Sequence, residues 1–216
     1  MINKETLKIA LKLFVITAVA AFALAFVHII TKDVIGANNK ILEEKAQMEV
    51  LPTASVFMAG EKPESSNSTV TINSFNTGFD KEGGSVQGYV ITATSNTAYA
   101  GNIKVMIGVD SNLKVTRVKI MESAETAGLG ANASKPKFID QFIGAENTLT
   151  VVKGAAGENE ISAIASATKT SKAVTDCVNV ALEAAKQKHD SGKIEETAKK
   201  FEEIKQITDE QIGGEA

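Results

Sequence analysis

The sequence predicts an α+β protein: one N-terminal transmembrane helix, then a domain of antiparallel strands and packed helices. Three observations carry that expectation. Residues 13–30 form an apolar run broken only by Thr17 and His28. Residues 86–121 hold three strand-length patterns joined by polar turns. Residues 171–189 follow a helical apolar period, and no regular strand–helix alternation surrounds them. The predicted division is a transmembrane anchor over 1–32 and a connecting helix and loop over 33–80. A ligand-binding domain over 81–190 follows, then a charged C-terminal helix or tail over 191–216.

The anchor comes first. As a helix the run from Leu13 to Ile30 is about 27 Å long, close to the hydrocarbon thickness of a bilayer. Lys4, Lys8 and Lys12 precede it, whereas Lys32 is followed at once by Asp33. That bias predicts a single-pass protein of the cell membrane with a cytoplasmic N-terminus and an extracytoplasmic remainder. A signal peptide is the competing reading, with small residues at Ala21, Ala23 and Ala25. The run is longer than a usual signal core and those residues lie inside it, which favours the uncleaved anchor. No glycine precedes the run to serve a pilin-like processing step.

Residues 33–48 read as a polar continuation of the anchor helix, with Ile41 and Leu42 as its few apolar points. Residues 62–76 are rich in Ser, Thr and Asn around Pro63 and predict a surface loop. Strands are expected over 86–94, 103–110 and 115–121, the last two forming a hairpin across Asp110-Ser111-Asn112. A glycine- and alanine-rich loop spans 122–134. A short helical piece over 136–143 then places Phe138 and Phe142 four residues apart, and 148–153 is a further strand candidate. In the helix over 171–189, Val174, Cys177, Val178, Ala181 and Ala185 share one face. A second amphipathic helix is expected over 193–211, striped by Ile194, Ala198, Phe201 and Ile204.

Composition narrows the chemistry. A formal charge of −3, no tryptophan and few aromatics give no basis for a nucleic-acid partner. Cys177 is the single cysteine, which excludes an internal disulfide and a cysteine-ligated metal or cluster within the chain. His28 and His189 lie too far apart to suggest a metal site, so none is predicted. A redox role would need an organic cofactor.

Two stretches could hold a ligand. In Glu122-Ser123-Ala124-Glu125-Thr126-Ala127-Gly128-Leu129-Gly130, two glycines flanking one leucine, directly after a strand, allow the backbone to press N–H groups against a flat molecule. An ordinary strand-to-helix connection explains the same residues, and the spacing lacks the third glycine of a dinucleotide fingerprint. In Ser166-Ala167-Thr168-Lys169-Thr170-Ser171, four hydroxyls and small residues stand at a helix start, where unpaired N–H groups favour an anion. Capping of the helix by Thr170 or Ser171 is the plain alternative. No histidine is placed to make a hydrolase of this cluster, and Lys169 points away from Thr168.

Taken in order, these stretches resemble the FMN-binding domain shared by two proteins, the G subunit of Rnf electron-transport complexes and the C subunit of sodium-translocating NADH:quinone reductase. Residues 97–103, with Tyr99 and Gly101, resemble the family's entry to a central strand. Residues 125–130 resemble its Glu-Thr-Pro-Gly-Leu-Gly loop, with Ala127 in place of proline. Residues 165–171 resemble its Ser/Thr-Gly-Ala-Thr-x-Thr-Ser segment, with Ala165 and Ser166 at the first two positions and Ser162 where aspartate is usual. The resemblance implies FMN bound covalently through a phosphoester on Thr168. It places Ser166, Ala167, Lys169, Thr170 and Ser171 around the phosphate, and Glu125, Thr126, Gly128, Leu129, Gly130 and Tyr99 around the rest of the cofactor. It further implies a flavin transferase for maturation and electron relay among neighbouring subunits of an ion-translocating ferredoxin:NAD oxidoreductase. The short chain with one anchor is closer to the Rnf protein than to the quinone-reductase one. A tethered module binding FMN reversibly and a surface protein docking through residues 193–211 are the other readings.

Overall fold

The computed structural model describes residues 4–81 and 84–191. The predicted helix over 193–211 lies outside them. Helix α1 runs from Lys4 to Val50, and the chain divides into two compact units, Met1–Lys45 and Ala46–Ala216.

Within the first unit, Lys8–Lys32 is a 25-residue stretch long and apolar enough to cross a membrane. Its large apolar side chains, Phe14, Val19, Phe22, Leu24 and Ile29 among them, are exposed. Thr17 donates its hydroxyl to the carbonyls of Leu13 (3.1 Å) and Phe14 (3.0 Å). The helix thereby satisfies that polar group internally, as a hydrocarbon environment requires.

The second unit is built on an antiparallel sheet of β1 (Val56–Ala59), β2 (Val70–Phe79), β3 (Val86–Ala98), β4 (Gly101–Asp110) and β5 (Val115–Ser123), in that order. The hairpin β4–β5 turns where the sequence places it. Asp110 Oδ1 accepts the amides of Asn112 and Lys114, both at 2.9 Å. The connecting helix and loop expected over 33–80 is corrected: β1 and β2 lie within it and belong to the sheet. Ser, Thr and Asn report an affinity for water, but β2 answers its backbone groups by pairing with β3 and buries Val70, Ile72 and Phe75 on one face.

After β5 come a 3-10 turn over Gly130–Ser134, helix α2 (Pro136–Ile139) and a 3-10 turn over Asp140–Phe142. Phe138 and Phe142 meet edge to face with centroids 5.4 Å apart. Residues 144 and 145 exchange backbone hydrogen bonds with Val115 and cover the start of edge strand β5. Two short parallel strands, β6 (Thr150–Val152) and β7 (Glu160–Ser162), precede helix α3 (Thr168–Asp190). The side-chain amide of Asn179 on α3 binds both backbone groups of Leu149 at 2.9 Å.

Two apolar layers flank the sheet. Tyr89, Ile91 and Ala93 of β3 and Ile103, Val105, Ile107 and Val109 of β4 pack with α3. On the reverse face Val90 and Met106 pack with Ala46, Val50, Leu51 and Ala54. Covered on both faces, β3 and β4 read as near-continuous apolar runs. The five apolar α3 residues named from the sequence are all buried, with Cys177 fully so. Burial first, then the carboxylate of Asp176, pushes the Cys177 thiol up to about 12 against a lowering hydrogen bond with the Ser95 backbone. The thiol is therefore protonated at neutral pH and shielded. A maleimide or disulfide reagent is expected to leave the native full-length protein unlabelled and to react once denaturant unfolds it. Stoichiometric native labelling would show that α3 leaves the sheet readily.

Candidate functional site

Helix α3 starts three residues earlier than its apolar period suggests. The N-cap is Ala167, without a side-chain cap, so the expected capping by Thr170 or Ser171 is corrected. Ser171 is instead used in the turn before the helix: its Oγ accepts the Ile164 amide (3.0 Å) and donates to the Ala167 carbonyl (3.0 Å). The amides of Thr168, Lys169 and Thr170 precede the first intrahelical bond, from Ser171 N–H to Ala167 O (3.0 Å). Thr168 is half-buried and Lys169 exposed, whereas Thr170 and Ser171 have no exposed surface. Ser166 is exposed with a φ of +60°, a left-handed conformation that costs a residue with a Cβ about 1 kcal/mol or more. Ser166→Gly is accordingly expected to raise stability by about 0.5 kcal/mol, the relief being partly offset by the freer unfolded chain. A lower denaturation midpoint for this variant would contradict that account.

The carboxylate of Glu125 brings three separated stretches together. Its Oε1 accepts the amide of Ala100 (3.0 Å), at the turn between β3 and β4 that carries exposed Tyr99. Its Oε2 lies over Gly130, where a Cβ would meet Oε2 at 2.0 Å and Thr170 Oγ1 at 2.8 Å. Thr170 Oγ1 is buried there without a hydrogen-bond partner among the described residues. Between Glu125 and Gly130 the loop closes on itself. The Thr126 carbonyl accepts the amides of Leu129 (3.1 Å) and Ala131 (3.2 Å), Gly128 takes a φ of +80°, and Leu129 stays exposed. Only glycine at position 130 lets the loop and the first turn of α3 approach this closely.

Beside these elements lies an open cleft of about 560 Å³. Gly128 and Asn132 border it on the loop, and Ser162, Ala163, Ile164 and Ala165 border it ahead of α3. Lys135, Lys137, Phe138 and Gln141 complete the lining. Gln141 joins the two sides: its Oε1 accepts the Ser162 amide at 2.8 Å. Asn132 Nδ2 donates to the Gly128 carbonyl at 2.8 Å. Sequence reasoning did not reach Asn132, Lys135, Lys137 and Gln141. The Phe138–Phe142 spacing marks their segment as structured, but no local signal pairs residue 141 with residue 162.

The comparisons with known proteins follow the same residues. The FMN-binding domain family matches residues 98–183, which hold Tyr99, the Glu125–Gly130 loop and Thr168–Ser171. The chain is 38% identical to the G subunit of the Na(+)-translocating ferredoxin:NAD(+) oxidoreductase complex of Acetobacterium woodii, over 83% of this chain and 91% of that protein. It is 30% identical to the G subunit of the ion-translocating oxidoreductase complex of Methanosarcina acetivorans, over 84% of this chain and 95% of that one. A solved structure, Shewanella oneidensis NqrC, aligns with a TM-score of 0.47 at 16% identity, covering 55% of this chain and 61% of that one.

Proposed function

Because the chain belongs to the G-subunit family of Rnf-type ion-translocating oxidoreductase complexes, we propose that it carries FMN as a phosphoester on Thr168. It is a flavoprotein electron carrier, a redox subunit that works with the other subunits of such a complex at the membrane. FMN supplies the electron-transfer chemistry, which no side chain of this composition offers.

The residues present fit that cofactor. The observation that carries the reading is the Glu125 carboxylate, which gathers the Tyr99 turn, the Gly128–Gly130 loop and the start of α3. Thr168 stands there half-buried at an uncapped helix start. The cleft lies in the size range of small-molecule sites, with Phe138 and Ile164 as apolar surface and Asn132 and Gln141 as polar points.

In this arrangement Thr168 Oγ holds the phosphate, and the amides of Lys169 and Thr170 meet its charge at the positive end of α3. Ser166 and Ala167 keep the approach narrow in side-chain bulk. Ser171 holds the turn, and Thr170 offers its unused hydroxyl. Glu125, Thr126, Gly128, Leu129, Gly130 and Tyr99 border the remainder of the cofactor. A flavin transferase is the maturation partner.

The lysines before the membrane span support a cytoplasmic N-terminus and an extracytoplasmic flavin domain. On that side a covalent tether keeps a cofactor that would otherwise be lost to the surroundings. Full-length protein produced with an active transferase is expected to retain flavin through acid and a denaturing gel. Protein that takes up flavin but releases it under those conditions, despite an active transferase, would overturn the covalent assignment.

A further inference from the structure

The cleft bordered by Gly128 and Ala165 is lined by two lysines and no carboxylate, in a chain whose formal charge is −3. Lys135 and Lys137 are both exposed, and neither forms an ion pair with a described residue. Three lysines elsewhere in this domain are ion-paired: Lys104 with Glu122 at 3.0 Å, Lys114 with Glu146 at 3.2 Å, and Lys119 with Glu49. The phosphate already has a set of donors in the free amides at the start of α3, which leaves the two lysines for another part of the ligand.

We propose that Lys135 and Lys137 form a cation pair that favours the reduced, negatively charged flavin ring and so sets its reduction potential. This rests on the flavin reading above. Two-electron reduction with uptake of one proton leaves the ring with one added negative charge. The electrons come from a neighbouring redox subunit in the complex, or from dithionite in a titration. Positive charge beside the ring lowers the free energy of the reduced form more than that of the oxidised form. The lysines are positioning and tuning residues: they exchange no proton with the ring, and their contribution is electrostatic.

The test compares flavin-loaded, full-length wild type with the double variant Lys135→Gln and Lys137→Gln by spectroelectrochemical titration. Glutamine keeps a polar side chain of similar reach, and both positions are exposed, so the fold is expected to hold. The expected result is about a tenfold loss of preference for reduced flavin, a midpoint about 30 mV more negative for the two-electron couple. Lys135→Arg with Lys137→Arg restores the wild-type midpoint, and added salt shrinks the difference between wild type and the glutamine variant. A midpoint unchanged in the glutamine variant overturns the proposal. So does weaker FMN binding by the unattached Thr168→Ala form of that variant, with riboflavin binding and midpoint unaltered, because the lysines would then serve the phosphate. Wild-type protein that neither loads nor binds flavin would instead overturn the underlying reading.

Discussion

Thr168→Ala is expected to abolish the acid-stable, in-gel flavin fluorescence of the full-length protein completely, with Thr168→Ser retaining it in part. Four hydroxyls stand within six residues, and the structure separates them. Ser171 is fully buried and its oxygen is engaged on both sides, with the Ile164 amide and the Ala167 carbonyl. Thr170 is fully buried against Gly130 and cannot reach a transferase. Ser166 is exposed, but it lies before the helix with a left-handed backbone, away from the run of free amides. Thr168 alone combines access with a place on the first turn of α3, where the helix end favours a phosphate. Its removal costs the fold little, because it is half-buried and caps nothing. Loss of fluorescence without a shift in the unfolding midpoint is therefore the diagnostic pair of measurements. Undiminished fluorescence in the alanine variant would move the attachment to Ser166, the exposed hydroxyl of the segment.

Gly108→Ala is expected to be strongly destabilising for a single added methyl. A Cβ at that position would stand 2.1 Å from the Val50 carbonyl oxygen, 2.6 Å from its carbon and 2.5 Å from Thr116 Oγ1. Two of those atoms are backbone, so no rotamer change relieves the overlap. The Val50 carbonyl is held there by the Thr116 hydroxyl, and the Lys119–Glu49 ion pair lies beside it. The last turn of α1 must lift, which uncovers Val90 and Met106 on that face of the sheet. A loss of about 3 kcal/mol follows from overpacking and exposed apolar surface, or about 6–12 °C in melting temperature. Thr116→Val, which removes only the hydrogen bond, is expected to cost about 1 kcal/mol. Equal effects from the two variants would mean that the close approach at Gly108 carries no special weight.

Much of the architecture is legible in the residues because its causes are local. The α3 face from Val174 to Ala185 follows from a 3.6-residue period, and the β4–β5 hairpin from two apolar runs flanking an Asp-Ser-Asn turn. Strands β1, β2 and β7 escape such reading. Each is short or rich in polar residues, and each becomes a strand through partners elsewhere in the chain. The helix cap shows the same limit. Composition offers Thr170 and Ser171 as equal candidates, whereas packing buries both and leaves Ala167 at the cap.

By itself the sequence determined the apolar span, the α+β class and the ordered motifs of a flavin-binding domain. Those properties reside in runs, periods and counts of residues, which neighbours along the chain express without long-range help. Tertiary structure alone decided that Glu125 clasps the Ala100 turn and sits beside Thr170, that Gln141 binds Ser162, and that two lysines without an ion-pair partner among the described residues border the cleft. These contacts join residues roughly 20 or more positions apart. They depend on how the sheet and helices pack, a geometry that no spacing along the chain encodes.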